Sequence, residues 1–187
     1  MGLLDCLEFI QKNGISIAKT EVVETNPPQF PIVLKVDTIE HKTEKNLIRF
    51  VHCPGNFEKN FWDLRKEGRV LGQELVSGIE LILGIQEDET FGKVVMVGAG
   101  GVFTQVLKDV AFRAVPLTRE DAGDMIRELK IFQVLQGFRG KAYNIALLED
   151  AIMKLSKIAE TTDIKSLDIN PFVLNDKRGV AVDCKIF

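Results

Sequence analysis

The 187-residue chain is short of the residues that mark several whole classes of protein. It has three cysteines, and Cys6, Cys53 and Cys184 are odd in number and far apart. That spacing argues against a disulfide framework and against a zinc site, and makes a reducing cytoplasm the expected compartment. No apolar run reaches the ~18 residues a membrane-spanning helix needs. The opening Met-Gly-Leu-Leu-Asp-Cys-Leu-Glu is acidic and amphipathic, unlike a signal peptide. It does not complete a myristoylation pattern, because Cys6 stands where Ser or Thr is wanted. A formal net charge of −3, with no interleaving of basic and aromatic residues, leaves no footprint for nucleic acid. Tyrosine and tryptophan occur once each against twelve phenylalanines, so the aromatic content reads as core filling. There is no repeat, low-complexity tract or long linker. With 45% apolar and 27% charged residues, the composition is that of an ordinary globular chain, either one large domain or two small lobes.

Hydrophobic periodicity supplies the elements. Leu3, Leu4, Leu7, Phe9 and Ile10 form a helical stripe ended by Asn13-Gly14. Ile15–Val23 is extended, Asn26-Pro27-Pro28 breaks the chain, and Phe30–Val36 and Leu47–Val51 read as strands. Asn56–Arg65 suits a short helix closed by Gly68. Val70–Val76, Ile79–Ile85, Gly92–Gly98 and the segments around Val102–Asp109 and Val110–Pro116 are strands joined by turns too short for parallel crossovers, so the sheet is predicted to be largely antiparallel. Thr118-Arg-Glu-Asp121 starts a helix in capping-box style, and Asn144–Glu160 carries a second stripe. Residues 165–186 predict a hairpin around Asn175–Gly179. The fold class is α+β.

Few residues in this pattern carry chemistry by themselves. Lys35 sits inside an apolar strand, where its stem either crosses the core edge to water or its ammonium faces a cleft and meets an anion. In the final hairpin Asp168 and Asn170 share a face, Pro171 is expected to end the regular ladder, and Asp183 returns opposite Asn170. An amide oxygen beside a carboxylate is a hard site suited to Mg²⁺, which often takes one or two protein ligands plus nucleotide phosphates. The same residues also fit a solvated strand end and an Asn-Pro turn. Gly98, Gly100 and Gly101 match neither a Walker loop nor a dinucleotide fingerprint, but bare backbone beside strands allows close approach to a phosphate.

Taken in order, several motifs resemble one family over nearly the whole chain. They are Pro31-Ile-Val-Leu-Lys35, His41-Lys42-Thr43, Gln73-Glu74-Leu75-Val76, Glu80, Gly98-Ala-Gly100-Gly101-Val-Phe, Leu107 to Arg113, Gly137-Phe-Arg139-Gly140, and Asp168-Ile-Asn170-Pro171 through Asp183. The family is the ATP-grasp β subunit of ADP-forming acyl-CoA synthetases, relatives of succinyl-CoA synthetase. The resemblance implies an ATP-grasp fold with a small nucleotide-covering lobe over about residues 15–75 and a larger lobe over about 76–187, against which the N-terminal helix packs. It implies ATP or ADP with Mg²⁺ as cofactors and the reaction acyl-CoA + ADP + phosphate = acid + ATP + CoA. Lys35 would hold phosphate, Glu80 would orient that lysine, and Glu74, Leu75 and Val76 would meet adenine. Gly100 and Gly101 would lie near phosphate, and Asn170 and Asp183 would hold the metal. His41 would carry a phosphoryl group with help from Lys42, and Arg113 would meet phosphate or a docked phosphohistidine loop. The implied partner is a separate CoA-binding α subunit in an α2β2-type hetero-oligomer, because this chain shows no dinucleotide-type unit for CoA. The sequence departs from the family pattern at Glu44-Lys45-Asn46, where many relatives have paired glycines. It departs again at Gln105, where Glu is usual, and at Pro27-Pro28, which replaces a helical insertion. Another ATP-grasp carboxylate ligase, or a nucleotide-binding subunit without turnover, shares most of these residues.

Overall fold

The computed structural model describes residues 2–25, 29–38, 46–101, 109–137 and 142–187. The Pro27-Pro28 pair, the His41-Lys42-Thr43 loop with Glu44-Lys45, the segment 102–108 with Gln105, and Arg139-Gly140 lie outside the described residues. Alternating and continuous apolar runs form ten strands among the described residues: β1 (Thr20–Val22), β2 (Ile32–Val36), β3 (Ile48–Val51), β4 (Val70–Glu74), β5 (Ile79–Asp88), β6 (Gly92–Ala99), β7 (Val110–Ala114), β8 (Ser166–Leu174), β9 (Gly179–Ala181) and β10 (Cys184–Ile186). The helices are α1 (Leu3–Lys12), α2 (Phe57–Arg65), α3 (Arg119–Glu128), the short α4 (Phe132–Leu135) and α5 (Ile145–Thr161).

The strands make two sheets. The smaller runs β1-β4-β2-β3 and the larger β10-β8-β5-β6-β7, with β9 paired to β8. Every strand pairing is antiparallel, as the short connections require. Each sheet has its own core. Phe57, Phe61 and Leu64 of α2 pack on Ile32, Leu34 and Val51 beneath the smaller sheet. Leu148, Ile152 and Leu155 recur at helical spacing along α5 and join Met125 and Ile126 of α3 and Leu83, Val95 and Val97 of the larger sheet. Helix α1 buries Leu3, Cys6, Leu7 and Ile10 in that second core. Its first turn is nonetheless anchored to the chain just after β2, where Asp37 Oδ1 accepts from the Leu4 amide at 3.0 Å. A carboxylate at a helix N-terminus satisfies an orphan donor and suits the dipole.

Three details correct the reading from sequence. Pro171 does not end β8, which continues to Leu174. Instead, the β5–β8 register shifts between Leu81 and Leu83, so Ile82 faces two residues, Asn170 and Pro171. That is a β-bulge, a device that re-aims side chains without ending a strand. The returning arm of the hairpin is two strands, β9 and β10, because Val182-Asp183 breaks the ladder opposite this bulge. Finally, the strand runs predicted from residue 70 to 76 stop at Glu74, and residues 75–78 cross from the smaller sheet to the larger.

Candidate functional site

Lys35 is the least comfortable residue of the smaller sheet. All five positions of β2 are buried, and Lys35 keeps 4% exposure. A buried ammonium needs hydrogen-bond partners. Its Nζ donates to the carbonyl of Val182 at 3.1 Å, across the gap between the two sheets. The side chain therefore faces the cleft, and the alternative of a stem leading to water is excluded.

Register then fixes what surrounds it. Val33 pairs with Phe50 on one side and Gln73 on the other, and Lys35 pairs with Ile48, so these side chains share the face turned to the larger sheet. On the far wall Asp168 and Asn170 stand two residues apart on one face of β8, and Asp183 lies opposite them. Together these residues line a cavity of about 460 Å³, within the ~300–1,000 Å³ range of small-molecule sites.

The bulge is what presents Asn170 and Asp183 side by side. The Asn170 amide donates to the Asp183 carbonyl at 3.2 Å, and the Val182 amide donates to the Pro171 carbonyl at 3.0 Å. The Cys184 amide in turn donates to Asp183 Oδ1 at 2.9 Å. Main-chain bonds thus hold both side chains in the cavity wall. Burial pushes the nearby Asp168 carboxyl above its usual range; Lys185 opposes that shift and the Asp183 charge adds to it. Among the described residues no three His, Cys, Asp or Glu side chains cluster as a metal cage. A divalent cation here would draw on one amide oxygen and one carboxylate, with the rest of its shell from ligand and water.

Glu74, Leu75 and Val76 form the edge of the cavity where the chain passes between sheets. The Glu74 carboxylate accepts from Arg178 Nη1 at 2.9 Å and Nη2 at 2.5 Å, and from the Lys19 amide at 2.7 Å. The Arg178 hydrogen bonds, aided by that amide, hold Glu74 below the ordinary carboxylate range despite partial burial. Glu80 lines the same cavity. Gly100 and Gly101 pack against Glu80: the Gly100 amide donates to the Glu80 carbonyl at 2.8 Å, and a Cβ on Gly100 would sit 2.7 Å from the Glu80 carbonyl carbon. Gly101 has φ +61°, and a Cβ there would meet Glu80 Oε2 at 2.7 Å. The Glu80 backbone therefore demands bare backbone at Gly100, and the left-handed φ demands it at Gly101.

Arg113 is not brought to the cavity. It shares a face with Val95, Ile85 and Leu167, which is the face under the helices, whereas Asp168 belongs to the opposite face. Its guanidinium pairs with Glu128 of α3, which raises its pKa further. The pair ties the sheet to the helix on the side away from the cavity. His41 and Lys42 lie outside the described residues.

Sequence reasoning missed two participants and left a third, Gln73, inside the Gln73–Val76 motif without a role of its own. Val182 acts through its carbonyl, which no side-chain pattern reveals. Arg178 sits in a polar turn of the kind usually left to solvent. Gln73 had a signal, since a glutamine at a buried position of an apolar strand asks for partners.

Three comparisons bear on this arrangement. A family profile described as an ATP-grasp domain matches residues 6–187. The chain is 36% identical over 193 residues to the ADP-forming acetate–CoA ligase II of Archaeoglobus fulgidus, covering 95% of this chain and 29% of that protein. It is 44% identical over 121 residues to the β subunit of ADP-forming acetate–CoA ligase I of Pyrococcus furiosus, covering 64% of this chain and 52% of the subunit. The chain thus spans between about a third and a half of these two relatives. An acetyl-coenzyme A synthetase of Ca. Korarchaeum cryptofilum superposes with a TM-score of 0.88 at 31% identity, covering 99% of this chain and 91% of that one. It was solved with coenzyme A and Mg-AMPPCP, its phosphohistidine segment pointing towards the nucleotide-binding site.

Proposed function

The chain belongs to the ATP-grasp family, and from that premise we propose that its cleft binds Mg-ATP or Mg-ADP as the β-type component of an ADP-forming acyl-CoA ligase. The observation that carries the proposal is convergence. Lys35, Glu80, Asn170 and Asp183, remote in sequence, line one cavity with the crossing segment Glu74–Val76 at its edge. An adenosine nucleotide with magnesium in a 31%-identical structural neighbour supports the same reading.

Phosphoryl transfer asks a protein mainly for positioning and charge compensation. Lys35 supplies a buried cation that the polyphosphate can engage in place of the Val182 carbonyl. Asn170 and Asp183 fit Mg²⁺ because both offer hard oxygens and are fixed by their own main chain. When bound, Mg²⁺ would neutralise phosphate charge. Glu80, whose main-chain carbonyl accepts from the Gly100 amide, keeps a carboxylate at the phosphate end of the site. The crossing segment flanks the base.

His41 is the proposed carrier. In its neutral form the imidazole nitrogen attacks the transferred phosphorus; an N–P bond forms as the bond to the departing oxygen breaks. Lys42 favours the neutral imidazole and compensates the phosphoramidate. The acyl and CoA chemistry falls to a separate CoA-binding α subunit, for which an α2β2 assembly in the cytoplasm is the working picture.

The test is ATP synthesis from acyl-CoA, ADP and phosphate with a CoA-binding partner added. Wild type is expected to turn over, and His41→Ala to lose at least about a hundredfold in rate, in line with removal of a nucleophile. Full turnover by His41→Ala would reject the relay. Nucleotide binding without any acyl-CoA-dependent synthesis would favour a binding-only subunit or another ATP-grasp ligase.

A further inference from the structure

Cys6 and Cys184 come from opposite ends of the chain and meet in the core of the larger sheet. Helix α1 lies against β10, and both cysteines are buried. The β10–β8 register sets Cys184 across from the buried Ile169, on the helix side of the sheet, while Lys185 falls across from Asp168 on the cleft side. The two thiols are hydrogen-bond partners. The Cys184 S–H and the Ile186 amide both donate to the Cys6 sulfur, and together they bring the Cys6 thiol down to about 7 against the upward push of burial. A thiol kept only for its size needs neither donor. Two donors converging on one sulfur are what stabilises a thiolate. Cys53, by contrast, is exposed.

The pair lies directly behind the far wall of the cleft. Cys184 follows Asp183, and its amide donates to Asp183 Oδ1 at 2.9 Å. Its register partner Ile169 precedes Asn170. We propose that Cys6 and Cys184 are a redox modification site, which peroxide converts to a disulfide that fastens α1 to β10 and weakens Mg-nucleotide binding by shifting Asp183. The Cys6 sulfur attacks one oxygen of hydrogen peroxide: an S–O bond forms, the O–O bond breaks, and the departing hydroxide leaves as water with the Cys6 proton. The Cys184 sulfur then attacks the Cys6 sulfur. The S–S bond forms, the S–O bond breaks, and the second hydroxide leaves as water with the Cys184 proton. Two electrons pass from the sulfurs to peroxide. The sulfurs close from hydrogen-bond contact to about 2.05 Å, and that movement pulls on the neighbour of Asp183. Burial sets the access: α1 parts locally from β10 before peroxide enters, and the enclosure holds back bulkier thiol reagents. A disulfide that forms under oxidant and is reversed by thiols suits a reducing compartment. The effect on nucleotide rests on the Mg-nucleotide reading of the cleft; the disulfide itself does not.

The experiment reads the bond and its consequence separately, on the full chain carrying Cys53→Ser so that only the pair remains. After treatment with hydrogen peroxide, surviving thiols are alkylated and counted by mass spectrometry. Both thiols should disappear together, with a Cys6–Cys184 linked peptide and no oxygen added at either cysteine, and dithiothreitol should restore both. Calorimetry should then show Mg-ADP binding about tenfold weaker in the oxidised chain, the size expected when a partner behind a metal ligand is disturbed, with full recovery on reduction. Adding Cys6→Ala should abolish the response of Mg-ADP binding to peroxide. The linked peptide decides the disulfide even if Cys6→Ala does not fold. Thiols that survive peroxide, or that take up oxygen without linking, would overturn the modification site. A linked chain that binds Mg-ADP as tightly as the reduced one, or an undiminished response in Cys6→Ala, would overturn its effect on the cleft. A reduced chain that binds no Mg-ADP would instead overturn the nucleotide reading, with the linked peptide still deciding the disulfide.

Discussion

The Glu74 carboxylate joins three parts of the chain: its own strand, the segment before β1 through the Lys19 amide, and the β8–β9 turn through Arg178. Its pKa lies below the ordinary value. A carboxylate depressed by folding stabilises the native state above its unfolded pKa, and that contribution is lost as pH falls through the folded value. Arg178 is nearly half exposed, so solvent screening holds the contribution to under about 1 kcal/mol. Glu74→Gln should lower the melting temperature at pH 7 by about 2–3 °C, and the gap from wild type should close once the pH is well below ~4. Melting curves at several pH values check this. A gap that persists at low pH would assign the loss to packing. The same residues show how far the sequence could be read. Lys35 and Asn170 were legible because charge in an apolar strand and amide oxygen at a strand bend are unusual there. The face of Arg113 was not legible, because one-residue periodicity sets it and only the register with Val95 reveals that it lies under α3. The Val182 carbonyl was invisible, since every residue has one.

Local chemistry made most elements legible. Thr118 caps α3 as its sequence predicts: its Oγ1 accepts from the Asp121 amide at 3.1 Å, and Asp121 Oδ2 accepts from the Thr118 amide at 2.8 Å. Removing such a cap costs about 1 kcal/mol, so Thr118→Ala should lower stability by about that amount in urea unfolding with little change in slope. An unaffected midpoint would mean that packing of Met125 and Ile126 alone holds the helix end. The break between β9 and β10 was not legible. Val-Ala-Val-Asp-Cys-Lys-Ile has strand propensity throughout, and what interrupts it is the bulge on the neighbouring strand. The partner's geometry, not the segment's own composition, sets that boundary. The bulge also places the two oxygen side chains together, so the least predictable element is the one that shapes the far wall of the cleft.

At the scale of the molecule, the two sheets meet through few polar contacts besides the crossing segment. Lys35 and Gln73 of the smaller sheet both donate to the Val182 carbonyl of the larger, and Glu74 pairs with Arg178. Antiparallel pairing followed from connection length and the α+β layout from the segregation of strands and helices, whereas composition left one domain or two lobes open and only the family resemblance implied two. How the sheets face each other is a tertiary property, fixed by side chains that no local pattern pairs. Lys35 is the hinge of the account, because a buried cation aimed across the cleft is what gives the cavity a reason to hold polyphosphate. The most direct measurement is a crystal structure of the chain with Mg-AMPPCP. The expected result places the polyphosphate between Lys35 Nζ and the Asn170/Asp183 pair, with the Lys35 contact to Val182 exchanged for phosphate oxygen. Nucleotide seated elsewhere on the surface, with Lys35 still bonded to Val182 in an empty cleft, would contradict it.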